Sequence, residues 1–73
     1  MDTQLLTAFI EVADSQSFTR AAAHLHLSQP AISKRITALE QQVGRALFDR
    51  VGRGLVLTAE GRVFLEEARA ALA

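Results

Sequence analysis

Gln29, Pro30, Ser33, Lys34 and Thr37 crowd five recognition-capable side chains into nine residues. A glutamine amide pairs in bidentate fashion with adenine, hydroxyls serve several base edges, and an apolar side chain packs on a thymine methyl. At 100° per residue, Pro30, Lys34, Thr37 and Gln41 form the centre of one helix face, with Ser33 and Ala38 on its flanks and Gln29 off the centre line at the start. The plainer explanation of such a face is solvation, and Pro30 is explained by a helix first turn alone. What favours a nucleic-acid groove is the setting, a short helix and turn before the face and a basic hairpin after it. Arg35 lies beside the apolar stripe and suits a phosphate or an acidic neighbour better than a base.

Arg50 and Arg53 flank the turn segment Val51-Gly52-Arg53-Gly54. An arginine at a hairpin tip can enter a narrow, A·T-rich minor groove. Arg53 stands between two glycines and has few structural reasons to be there. Arg50 has a competing explanation in a salt bridge to Asp49 or Glu60. Thr19 and Arg20, at the start of a helix, suit phosphate contacts, whereas Ser17 before them serves equally as a helix cap. The net charge is zero, but its distribution is uneven: residues 1–19 carry −3, residues 20–53 carry +4 and residues 54–73 carry −1. Phosphates respond to the local cluster and not to the total.

Other chemistries find little support. Cysteine is absent, which excludes thiolate ligands and disulfides and suits a reducing compartment. His24 and His26, two residues apart, do not share a helix face, and further ligands at usable spacing are missing, so no metal site or cofactor is expected. No glycine-rich phosphate loop or reactive carboxylate pair suggests an enzyme, and Glu66-Glu67 reads as a solvated helix face. The first residues lack a signal-peptide pattern and no apolar run reaches membrane-spanning length, so a cytoplasmic protein without membrane contact is expected.

The elements that must position these residues follow from periodicity and caps. A first amphipathic helix over about 3–14 buries Leu5, Leu6, Phe9, Ile10, Val12 and Ala13, with Asp2 as cap. A second, alanine-rich helix begins after Ser17 and buries Phe18, Ala21, Ala22 and Leu25; His26-Leu27 makes the turn. The third, residues 28–43, opens at Ser28-Gln29-Pro30, turns Ile32, Ile36, Leu39 and Val43 inward and stops at Gly44. A change of period at Leu47-Phe48-Asp49-Arg50 and Leu55-Val56-Leu57 gives a two-stranded hairpin over 47–57. Thr58 caps a fourth helix whose stripe of Phe64, Leu65, Ala68, Ala71 and Leu72 runs to the end of the sequence. A stripe still running at Ala73 suggests a piece of something longer, or a helix that needs a partner.

Two blocks carry a family resemblance. The first is Ala21-Ala22, Leu25 to Ser33, Ile36 and Leu39-Glu40; the second is Leu47-Phe48, Arg50, Arg53, Leu57-Thr58 and Gly61. Together they resemble the N-terminal DNA-binding domain of LysR-type transcriptional regulators over nearly the whole chain. The resemblance implies a mainly α winged helix-turn-helix: residues 1–58 form the DNA-binding domain, with the helix-turn-helix at 18–37, and residues 59–73 begin a linker helix that pairs two copies. It implies a homodimer on an inverted-repeat operator of double-stranded DNA, or a tetramer in the full-length protein. An inducer would act only through a C-terminal effector domain absent from this sequence. The expected DNA contacts are Thr19, Arg20, Gln29, Pro30, Ser33, Lys34, Thr37, Arg50 and Arg53. The expected dimer contacts are Phe64, Leu65, Ala68, Ala71 and Leu72, some of which must pack within one copy. A protein-interaction module on the same fold is the rival reading, and it would call for an apolar or acidic outer face on the third helix.

Overall fold

A computed structural model describes residues 2–73. The elements run α1 (Thr3–Ser15), α2 (Phe18–His24), α3 (Gln29–Val43), β1 (Phe48–Val51), β2 (Gly54–Leu57) and α4 (Ala59–Leu72). Every helix starts at a side-chain cap. Asp2 accepts from the Gln4 N–H, Ser17 from Arg20, Ser28 from Ala31 and Thr58 from Gly61. Each of these oxygens satisfies an N–H that the helix cannot pair internally. Helix α1 runs one residue past its expected end and closes at Gln16, in the left-handed region with φ 51°. Helix α2 stops sooner than its apolar pattern suggests, and Leu25 is its half-buried C-cap.

The core gathers one face from each helix. Phe9, Val12, Ile32, Leu39 and Leu47 are its largest fully buried side chains. Ala8, Ala21 and Ala22 are buried with them, and their small side chains let the first three helices cross closely. Ile10 and Val43, expected inside, are only half-buried against this core. All four phenylalanines form one chain of ring contacts: Phe18 on Phe48 at 6.2 Å, Phe48 on Phe9 at 5.2 Å, and Phe9 on Phe64 at 5.4 Å between centroids. Tilted and edge-to-face pairs at these separations add to the area they bury. The wing, α1 and α4 are thereby joined through a single aromatic seam.

Strands β1 and β2 pair antiparallel, with Phe48 opposite Leu57 and Arg50 opposite Leu55. Gly52 and Arg53 make the two-residue loop, and Gly52 takes φ +60°, which a side chain would disfavour. Leu47, expected in the first strand, precedes it as a core residue. Its carbonyl accepts from the Thr58 N–H at 3.0 Å. Gly61 of α4 lies so close that a Cβ there would stand 2.1 Å from the Leu47 carbonyl oxygen. Only glycine allows α4 to start this near the base of the wing.

Candidate nucleic-acid interface

Helix α3 sorts its side chains by angle. Ile32, Ile36 and Leu39 face the core, and Pro30, Lys34, Thr37 and Gln41 are exposed on the opposite side. Gln29, Ser33 and Glu40 line the flank that turns toward the wing. Arg35 turns the other way, into a small hollow with Thr3, Thr7, Leu25 and Leu27. No carboxylate lies within ion-pair distance of it among the described residues.

Two grooves meet where α2, α3 and the wing converge. The first is polar and holds Ser17 and Thr19 from α2 and its cap, Gln29 from α3, and Arg50 and Arg53 from the wing. Thr19 Oγ1 sits 3.5 Å from Gln29 Oε1, at the long limit of a hydrogen bond. The second groove runs between α3 and the wing past Ser33, Thr37, Glu40 and Arg50. Arg50 belongs to both. Its guanidinium lies over the Phe18 ring, 5.3 Å from the centroid. This cation–π contact stands where its sequence neighbours suggested a salt bridge to Asp49 or Glu60: Arg50 is paired with Leu55 and shares its face of the hairpin, whereas Asp49 belongs to the other face.

Among the expected contacts, the grooves therefore collect Thr19, Gln29, Ser33, Thr37, Arg50 and Arg53. Pro30 and Lys34 stand exposed on the outer face of α3 beside them, and Arg20 is exposed on α2 without lining either groove. Two further residues take part in the interface in ways their sequence positions do not indicate. Phe18 read as core, yet it is half-buried under Arg50. Glu40 read as part of a motif, yet its carboxylate Oε2 accepts from the N–H groups of Leu47 at 2.8 Å and Phe48 at 3.3 Å. Its sign is the available signal: it is the one acidic side chain on the wing-facing flank of a basic segment.

Helix α4 divides its stripe. Ala68 is buried in the monomer, and Phe64 and Leu65 are half-buried against the same core. The close fit of α4 on α1 consumes these three, and Arg69 pairs with Asp14 at the far end. Ala71 and Leu72 remain exposed; Val63, outside that stripe and on the opposite side of α4 from Leu72, is 60% exposed.

Residues 3–62 match the family model of the bacterial regulatory helix-turn-helix proteins, lysR family. The chain belongs to the LysR family. It is 56% identical over 68 residues to an uncharacterized HTH-type transcriptional regulator of the ibpB-leuC intergenic region of Azotobacter vinelandii, covering 93% of this chain and 47% of that protein. It is 45% identical over 73 residues to the HTH-type transcriptional regulator TfdT of Cupriavidus pinatubonensis, covering 100% of this chain and 32% of the relative. This LysR-family chain thus spans half or less of the length of those two relatives. Among solved structures, the CbnR DBD in its DNA complex superposes with a TM-score of 0.93 at 44% identity, over 99% of this chain and 83% of that one. The architecture is that of a winged helix-turn-helix, as the order of helices and strands led one to expect. No helix of the described residues is long and apolar enough to cross a membrane.

Proposed function

We propose that this chain is the DNA-binding part of a LysR-type transcription regulator, reading double-stranded DNA in a sequence-specific way. The observation that carries the proposal is the convergence of Thr19, Gln29, Arg50 and Arg53 on one polar groove beside the exposed face of α3. Helix α3 enters the major groove with Gln29, Pro30, Ser33, Lys34 and Thr37 toward base edges. Thr19 and Arg20 hold the backbone, Arg53 reaches the neighbouring minor groove from the wing tip, and Arg50 lines the path between them. The outer face of α3 is polar and basic, not apolar or acidic, which counts against a protein partner on this face. The role is binding without catalysis, in the cytoplasm, with no cofactor of its own.

The working unit is a homodimer joined through α4 on an inverted repeat, or a tetramer of the full-length protein. Exposed Ala71 and Leu72 supply the seam, with the outer edges of Phe64 and Leu65. Any small-molecule inducer acts through a further domain of the longer protein.

Selection of bound duplexes from a random pool tests both parts. The expected result is a defined sequence recovered as an inverted repeat, with affinity that falls steeply as salt rises. Recovery of no preferred sequence, with a flat salt dependence, overturns DNA reading. Recovery of a single unrepeated half-site overturns the dimer.

A further inference from the structure

We propose that Glu40 is a positioning residue for DNA reading: its carboxylate fixes the angle of the wing against the recognition helix. The inference rests on the wing contacting DNA. Glu40 lies on the flank of α3 that also carries Gln29 and Ser33, two helical turns beyond Ser33. A single oxygen, Oε2, accepts from two successive backbone N–H groups, those of Leu47 and Phe48, where the chain leaves the core and the wing begins. Hydrogen bonds to an ionised acceptor are the stronger kind, and the two converge on one oxygen, so they tie the base of the wing to α3 at one point; a second point of attachment then sets its angle. The other side of the same joint is held by Thr58, which donates from Oγ1 to the Ala46 carbonyl at 2.7 Å and from its N–H to Leu47 at 3.0 Å. Helix α3 and α4 thus grip the wing base from two sides, and Glu40 is the grip that belongs to the recognition helix.

Leverage makes the angle matter. From Leu47 to Arg53 the hairpin extends roughly 17–20 Å at the usual rise per residue. A tilt of about 10° at the base therefore moves the tip by about 3 Å, the whole length of a hydrogen bond. Losing the brace leaves Gln29 and Arg53 intact but no longer spaced to engage adjacent grooves together. A residue that only stabilised the fold would lower binding equally whether or not the wing tip carries its arginine. A residue that aims the wing loses its effect once that arginine is gone.

The test is a double-mutant cycle on the preferred duplex with Glu40→Ala, Glu40→Gln and Arg53→Ala. Glu40→Ala is expected to weaken binding about fivefold or more, in keeping with the loss of charge-assisted hydrogen bonds. Glu40→Gln keeps an acceptor oxygen and is expected to recover most of the affinity. In the Arg53→Ala background, Glu40→Ala is expected to cost less than about twofold. Should Glu40→Ala fail to fold, Glu40→Asp, one methylene short of the two N–H groups, carries the same comparison. If Arg53→Ala alone is silent, the wing reading falls and takes the brace with it. If Arg53→Ala weakens binding but the two losses multiply independently, or if Glu40→Ala changes nothing, only the brace falls.

Discussion

On the α1 side of the molecule Asp14 holds Arg69 and Glu11 lies 3.4 Å from His24; on the α3–wing side Lys34, Arg50 and Arg53 have no carboxylate within ion-pair distance among the described residues. The only cation on that second surface with a close partner among the described residues is Arg50, and its partner is an aromatic ring. The two surfaces spend charge differently. Where cations are paired, helices of the same chain are tied together, as α4 is tied to α1. Where they are bare, their field is available to phosphates. A net charge of zero hides this division completely.

The substitution with the largest expected effect strikes the joint that both surfaces share. In Gly61→Ala the new Cβ meets the Leu47 carbonyl oxygen at 2.1 Å, and backbone cannot move aside as a flexible side chain can. A cost of about 3 kcal/mol is expected, at the upper end for overpacking. For a domain this small that lowers the midpoint of thermal unfolding by roughly 12–24 °C. Circular dichroism on heating measures it. A change of only a degree or two would mean that α4 and the wing base are not in this close contact, and the two surfaces would then be free to move independently.

Gln29→Ala comes next and acts on one surface alone. It should weaken binding to the preferred duplex by ~1–3 kcal/mol, leave a scrambled duplex nearly unaffected, and leave thermal stability unchanged. Gln29 is exposed, and its one side-chain hydrogen bond among the described residues, to Thr19, is at the long limit, so the fold draws little stability from it. Equal losses on both duplexes would move the reading head away from the start of α3.

Arg53→Ala should behave in the opposite sense on the same surface. It should weaken preferred and scrambled duplexes alike and reduce the slope of log affinity against log salt by about 1, the share of one phosphate. An additional loss is expected where flanking base pairs are A·T-rich. An unchanged slope would make the wing a structural hairpin, and the bare charge of this surface would then rest on α3.

Much of this was readable in the sequence, for identifiable reasons. Helix caps at Asp2, Ser17, Ser28 and Thr58 are local chemistry, and all four stand where the residue types placed them. So does the stripe of Ile32, Ile36 and Leu39, because its period belongs to the helix itself. What stayed hidden depends on meetings between distant parts. Phe18 and Arg50 are 32 positions apart, and no local pattern announces a ring under a guanidinium. Glu40 on the N–H groups of Leu47 and Phe48 is a bond between elements. The stripe of α4 is likewise visible as a stripe, but only its packing against α1 decides how far along it burial extends, with Ala68 inside and Leu72, one turn on, exposed.

The smallest expected effect probes the paired surface, and it sharpens the comparison most because it should leave function untouched. The Asp14–Arg69 pair spans 55 positions of sequence and joins the last turns of α1 and α4. Both side chains are about half exposed, at 49% and 52%, so water and salt screen the pair. Such pairs contribute about 0.2–1 kcal/mol. Asp14→Ala should cost no more than that, and a cycle with Arg69→Ala should show the coupling shrinking as salt rises. Affinity for DNA should stay the same, although Asp14→Ala frees a cation and raises the net charge by one, because the freed charge lies on the α1 surface and not beside α3. If Asp14→Ala instead tightened binding to every duplex at low salt, total charge and not its placement would govern association, and the contrast between the two surfaces would lose its functional meaning.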